Sequence, residues 1–250
     1  MDRLVLYSEG YEPEFIRSAL TDVDVRAVYS QRGLIDALVD EPTLVGAVIH
    51  VPRMEEQWST FLVSVSKTFS RLPVLLVQPS EESEHPAGFP HIPDDVSDDG
   101  LRQALDQLLV SEPNRDRRHH HRFEWPLRAV LADGDGTSHR ISEISAGGAY
   151  LEPVGSGVGS GQQCGMEIHF QNFKMRATCA VLDPRHTSSR RSAGFGVKFV
   201  DLSPEATEFI DRIVQDALVA ILIDPDAQPS VPTIDEEEDV LSIGDEFSLT

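Results

Sequence analysis

Cysteine is nearly absent from this chain of 250 residues. Only Cys164 and Cys179 occur, too few for a disulfide framework. Both fall within alternating apolar patterns, so they read as buried free thiols in a reducing compartment. Apolar stretches stay well short of the roughly eighteen residues a membrane span needs. The first residues, Met1–Tyr7, carry no charged leader or small-residue cleavage site and read as an opening strand, which makes a cytoplasmic protein the expectation. Positive charge is also scarce: 21 Lys and Arg face 42 Asp and Glu, for a formal net charge of -21. That balance argues against broad nucleic-acid binding, which depends on cations that displace counterions from phosphates.

The charge is unevenly spread. From Asp224 to Thr250 there are nine acids and no Lys or Arg, with a run at Asp235–Asp239 and prolines at 225, 229 and 232. Such composition cannot collapse, and residues 224–250 read as a disordered acidic tail. Between Asn114 and Arg128 the sign reverses, with five arginines against Asp116 and Glu124. A local basic island can hold a small anion even in an acidic protein, because field falls off within a few ångströms.

Residues 1–110 alternate short apolar runs with helical patterns. Strands are expected near 3–7, 23–29, 44–51 and 73–78. Helices are expected over 12–20, 33–39 and 58–69, and through Leu101, Leu105, Leu108 and Leu109. The irregular stretch 79–99 has room for a short fifth strand at His91-Ile92. The order predicts a doubly wound parallel α/β sheet. It resembles a response-regulator receiver domain in architecture. Its chemistry departs from that family: one acid, Glu9, follows the first strand, the third strand ends at His50 with no phospho-acceptor Asp, and Lys67 is the region's single lysine. A phosphorylation-incompetent domain that docks an unidentified protein partner is the expectation.

A polar linker, 111–116, leads to a second domain, 117–223. Trp125–Leu131, Met166–Phe170, Met175–Val181 and Ala193–Phe199 alternate with period two and are separated by turn-rich segments at 133–136, 155–161 and 184–191, which reads as antiparallel strands closing into a small barrel. Ser203 is placed to cap a helix with Pro204 at its first position. The apolar face of that helix, from Phe209 to Ile221, needs a cover, either the barrel end or a second copy of the chain.

Two short segments of this domain stand out: Arg117-Arg118-His119-His120-His121-Arg122 and Glu143-Ile144-Ser145-Ala146-Gly147-Gly148. The first contains Arg-x-x-x-Arg just before a strand. The second sets an acid, a hydroxyl and a glycine turn between two strands. Gly194–Glu205 adds a late strand and helix entry. In this order they resemble the PilZ family of cyclic di-GMP receptors, over about Asp116–Val219. The family pattern has Asp or Asn where this chain has Glu143, one methylene longer. The resemblance implies that Arg117, Arg118 and Arg122 meet phosphates and guanine faces or edges, where guanidinium forks and stacking serve. Glu143 and Ser145 would accept hydrogen bonds, and Gly147 and Gly148 would let backbone and ligand approach. It further implies a switch, in which ligand orders a mobile arginine lead-in and reorients the N-terminal domain. An adaptor that has lost the nucleotide is the alternative.

No other constellation competes. Three consecutive histidines point different ways in extended chain and have no ligand partners at a recognised spacing, so no metal or other cofactor is expected. The glycines of 155–161 lack the lysine and helix of a phosphate loop. Neither Ser8 nor Ser145 has a nucleophile's partners readable nearby, so no catalytic residue is assigned and the protein is not expected to be an enzyme.

Overall fold

The computed structural model describes residues 3–10, 16, 18, 20, 23–70, 72–79, 88–110, 119–132, 137–152, 159–185, 192–234 and 247–249. The chain divides into two compact units, Met1–His119 with Leu218–Gln228, and His120–Ala217 with Pro229–Thr250.

The first unit is a five-stranded parallel sheet of β1 (Arg3–Ser8), β2 (Asp24–Val28), β3 (Gly46–His50), β4 (Val74–Gln78) and β5 (His91–Pro93). Their spatial order is β2-β1-β3-β4-β5, the doubly wound order whose switch point lies between β1 and β3. β3 and β4 are buried along their whole length, as a sheet covered on both faces requires. The helices are α1 (Gln31–Asp40), α2 (Glu56–Thr68) and α3 (Asp98–Val110). α1 begins before the expected Gly33 because Ser30 caps it, its hydroxyl accepting from the Gly33 N–H at 3.1 Å. The short strand expected at His91-Ile92 is present as β5, parallel to β4. Of the helix expected over 12–20, only residues 16, 18 and 20 are described, and Ile16 and Leu20 join Leu4, Leu6, Val48, Leu75 and Leu101 in one core.

The second unit is a closed barrel. Its strands are β6 (Leu127–Leu131), β7 (Ser138–Ser145), β8 (Gly148–Glu152), β9 (Gln163–His169), β10 (Phe173–Arg185) and β11 (Gly194–Asp201). They pair antiparallel in the cycle β11-β8-β7-β6-β9-β10, and β10 returns to β11. Closure leaves no open edge around the ring. Alternation along β9, with Cys164, Met166 and Ile168 buried, fills the interior. Pro184 and Arg185, expected in a turn, instead extend β10 opposite Phe195 and Gly194. α4 (Pro204–Ile223) starts at Ser203, whose hydroxyl accepts from the Ala206 N–H at 3.1 Å. Phe209 on α4 packs edge-on against the stacked rings of Phe170 and Phe173, so the barrel covers this face of the helix.

The expected tail starts too early. Residues 224–234 are described, and their last part is held to the barrel. Trp125 Nε1 donates to the Pro229 carbonyl at 3.3 Å. The Asn172 amide donates to the Ile234 carbonyl at 2.7 Å and accepts from its N–H at 3.1 Å. Ile234 is buried. The acidic composition misleads here because the carboxylate run begins only at Asp235, after an apolar anchor. The run itself, within 235–246, lies outside the described residues. Beyond it, β12 (Phe247–Leu249) pairs antiparallel with Phe173–Met175, along the part of β10 that precedes its pairing with β11 at Thr178.

Candidate functional site

The glycine motif is a tight hairpin. β7 ends at Ser145, β8 begins at Gly148, and these two residues pair across the turn Ala146-Gly147. The Ser145 hydroxyl donates to the Gly148 carbonyl at 3.2 Å and is buried, so it stiffens the turn from within. Gly148 has φ of +152°, and a Cβ there would run into the Val197 carbonyl on β11. Only glycine lets β8 and β11 approach so closely. The Phe199 N–H donates to the Gly147 carbonyl at 3.2 Å, which pins the turn to β11 as well.

Glu143 owes its direction to a bulge. Ile141 pairs with Leu151 and Glu143 with Tyr150, so Ser142 is the extra residue. Strict alternation would place Glu143 on the same side as the buried Ile141. The bulge shifts the phase, leaving Ile141 and Ile144 inside and Glu143 partly exposed. Bulges of this kind re-aim side chains beside functional sites.

The lead-in reaches the same rim. Phe123 exchanges both backbone hydrogen bonds with Ile144, at 3.0 and 2.9 Å. This brings Arg122 beside Glu143, with Nη1 to Oε2 at 3.0 Å. One turn of chain earlier, His120 Nδ1 lies 3.0 and 3.1 Å from the two Asp211 carboxylate oxygens on α4. The same imidazole lies over the glycine turn: a Cβ on Gly147 would be 3.3 Å from His120 Cδ2. Thus Arg122, Glu143, Ser145, Gly147 and Gly148 come together on one edge of the barrel. Arg117 and Arg118 lie outside the described residues. Asp211 was not singled out from sequence. Its helical face shows it to be exposed, but nothing in the local pattern ties it to a histidine ninety-one positions away.

The family comparison decides the domain's identity. The PilZ domain family matches residues 116–216. Residues 116–216 are a PilZ domain. The match contains both motifs and the start of α4. No curated protein matches the chain. Among solved structures, the chain is similar to the Bacillus subtilis inhibitor of motility, at 14% identity and a TM-score of 0.36, covering 42% of this chain. The chain spans about half, 55%, of that protein's length. It is also similar to Escherichia coli YcgR in complex with c-di-GMP, at 16% identity and a TM-score of 0.33, covering 40% of this chain and 46% of that one. A response regulator receiver protein from Sinorhizobium medicae matches at 19% identity and a TM-score of 0.37, covering 44% of this chain and 95% of that one.

Two other polar groupings involve neither motif. At the switch point of the parallel sheet, a 2.9 Å hydrogen bond joins Ser8 Oγ and His50 Nδ1, both fully enclosed. Burial pushes the His50 imidazole below its ordinary value, against a smaller upward pull from Asp94. Inside the barrel, Cys164 and Cys179 face each other across β9 and β10 with sulfurs 3.7 Å apart. Burial, reinforced by Cys164, pushes the Cys179 thiol up to about 12, so it is a poor nucleophile at neutral pH. Among the described residues no group of three His, Cys, Asp or Glu side chains is placed to hold a metal ion. No helix among them is long and apolar enough to cross a membrane.

Proposed function

We propose that this protein is a cyclic di-GMP effector, whose PilZ domain binds the dinucleotide and whose N-terminal unit docks a protein partner in the cytoplasm. The observation that carries the reading is convergence. A guanidinium from the lead-in and a glycine turn meet on one solvent-facing rim, inside a segment that matches the PilZ family. These are the groups that a ligand with two phosphates and two guanine faces calls for. Arg122, with Arg117 and Arg118 further along the lead-in, would meet phosphate and base. Gly147 and Gly148 would let the ligand lie against backbone. The N-terminal unit fits a docking role better than a phosphoryl-transfer role, because its crevice presents Ser8 and His50 bonded to each other and no aspartate at the end of β3.

A second reading has a specific observation behind it. Arg122 is already bonded to Glu143, as in an adaptor whose rim satisfies itself. Calorimetry with cyclic di-GMP separates the two. The effector reading expects saturable binding by the full chain and its loss, by about a hundredfold or more, in Arg122→Ala, in line with the cost of removing one partner of a charge-assisted contact. Trp125 fluorescence checks that the barrel stays folded. Equal heats from both proteins would remove the arginine from the site.

A further inference from the structure

The lead-in is fastened at two points by acids from two different elements. Glu143, on the β7 bulge, holds Arg122. Asp211, on α4, holds His120 through both carboxylate oxygens. Beside the two clamps, the imidazole of His120 also covers Gly147, and Phe123, next to Arg122, is stitched to Ile144 by paired backbone bonds. The bulge at Ser142 is what delivers the Glu143 carboxylate to the guanidinium. Each clamped residue is only partly exposed, with Arg122 at 38% and His120 at 32%.

We infer that Glu143 and Asp211 are positioning residues of the PilZ rim, with Glu143 serving as the counter-ion of Arg122 and not as a reader of a base edge. The inference rests on the nucleotide reading above, and it gives the two acids opposite effects on binding. A phosphate approaching Arg122 meets a carboxylate already bonded to that guanidinium. Two anions cannot share the same fork without repulsion, so the ligand exchanges with Glu143. Removing that charge therefore favours the ligand. Asp211 acts on a residue two positions away and competes for nothing that phosphate needs. It keeps the segment docked, so that less chain has to be ordered on binding. Removing it disfavours the ligand. The lead-in of this chain is thus a held strap that trades one anion for another, and the longer Glu143 in place of Asp or Asn is what reaches the strap.

The experiment combines two readouts on the full chain. In calorimetry with cyclic di-GMP, Glu143→Gln is expected to tighten binding about threefold or more, and Asp211→Asn to weaken it by a similar factor, with partial recovery in Asp211→Glu. In hydrogen exchange without ligand, the Phe123 amide is expected to exchange several times faster in Asp211→Asn and in Glu143→Gln than in the parent chain. Weaker binding by Glu143→Gln would overturn the counter-ion role, since it would mean that the carboxylate accepts from the ligand. Unchanged exchange at Phe123 in both variants would overturn the clamps. If the parent chain and every variant fail to bind, the nucleotide reading is lost, while the exchange rates still decide whether the acids hold the strap.

Discussion

The protein contains two places where a side-chain pair closes over a sheet end, and they differ in one physical variable. At the crest of the parallel sheet, Ser8 and His50 bond to each other with almost no water access. On the rim of the PilZ barrel, Arg122 with Glu143 and His120 with Asp211 do the same while partly exposed. Burial decides what each pair is good for. A buried imidazole is driven toward its neutral form, and its hydrogen bond is costly to open because neither partner can turn to water. An exposed ion pair is screened and contributes little to stability, so another anion can replace one partner at small cost. The first pair is fixed within the sheet, where no outside group can replace either partner. The rim pairs leave their site exchangeable. Solvent access thus separates an enclosed pair from exchangeable ones.

The comparison is tested most severely at the turn that builds the open site. Gly148→Ala places a methyl group against the Val197 carbonyl at a φ that L residues rarely adopt. The expected cost is about 3 kcal/mol or more, from backbone strain together with overpacking. Each unit carries one of the two tryptophans, Trp58 in the first and Trp125 in the second. Single-tryptophan variants therefore report the two units separately. Gly148→Ala should lower the unfolding midpoint seen by Trp125 and leave the one seen by Trp58 near its original value. A shift confined to Trp58 would break the assignment of the turn as a barrel determinant.

The closed pair comes next in size. Ser8→Ala removes the hydroxyl bonded to His50 Nδ1 in a buried setting, and losing a buried hydrogen-bond partner costs about 1–3 kcal/mol. Here the expected shift belongs to Trp58, which packs on Tyr7 of β1 with ring centroids 4.9 Å apart. Affinity for cyclic di-GMP, measured on the same variant, should stay within about a factor of two, since mutations with no shared partners usually act independently. A loss of affinity as large as that of Arg122→Ala would mean that the crevice and the rim are energetically linked.

How much of this was legible beforehand follows from which signals are local. The parallel sheet was readable because alternating apolar runs and helix patterns are properties of consecutive residues, and even three-residue β5 was marked by His91-Ile92. The glycine turn was readable because Gly147-Gly148 between two apolar alternations has few structural uses. The bulge at Ser142 was not readable: period-two counting assigns Glu143 to the inside with Ile141, and only the pairing with β8 shows the phase slip. Asp211 and Asn172 escaped for a related reason. Each acts on a partner distant in sequence, His120 and Ile234, and an exposed acid on a helix or an Asn in a turn looks ordinary on its own. The tail boundary failed because composition was averaged over residues 224–250, which hid one buried isoleucine at the edge of the acidic run.

The smallest expected effect, and the one that draws the comparison most finely, is the dependence of each unit on pH. The His50 imidazole titrates below its ordinary value because burial opposes its charge. The unfolded chain then takes up a proton, near the usual histidine value of about 6.5, before the folded one does. Stability of the first unit is therefore full above that value and falls as pH drops through the interval beneath it. A single group can contribute no more than about 1.4 kcal/mol for each pH unit of that interval. In the barrel, Lys174 holds the Glu167 carboxyl below its ordinary value, with Arg176 and His169 assisting. Its contribution is present above the ordinary carboxylate range and is lost only as pH falls through the lower, folded value. The contributions of His50 and Glu167 thus fall in separate windows, Trp58 reporting the first from about pH 6.5 downward and Trp125 the second in the carboxylate range near pH 4 and below. His50→Gln should flatten the Trp58 response below the ordinary histidine value of about 6.5 while leaving the Trp125 response in place. If both reporters instead move together in the histidine window, the enclosed Ser8–His50 pair is not what sets the acid sensitivity of the first unit, and solvent access is not the variable that separates the two sites.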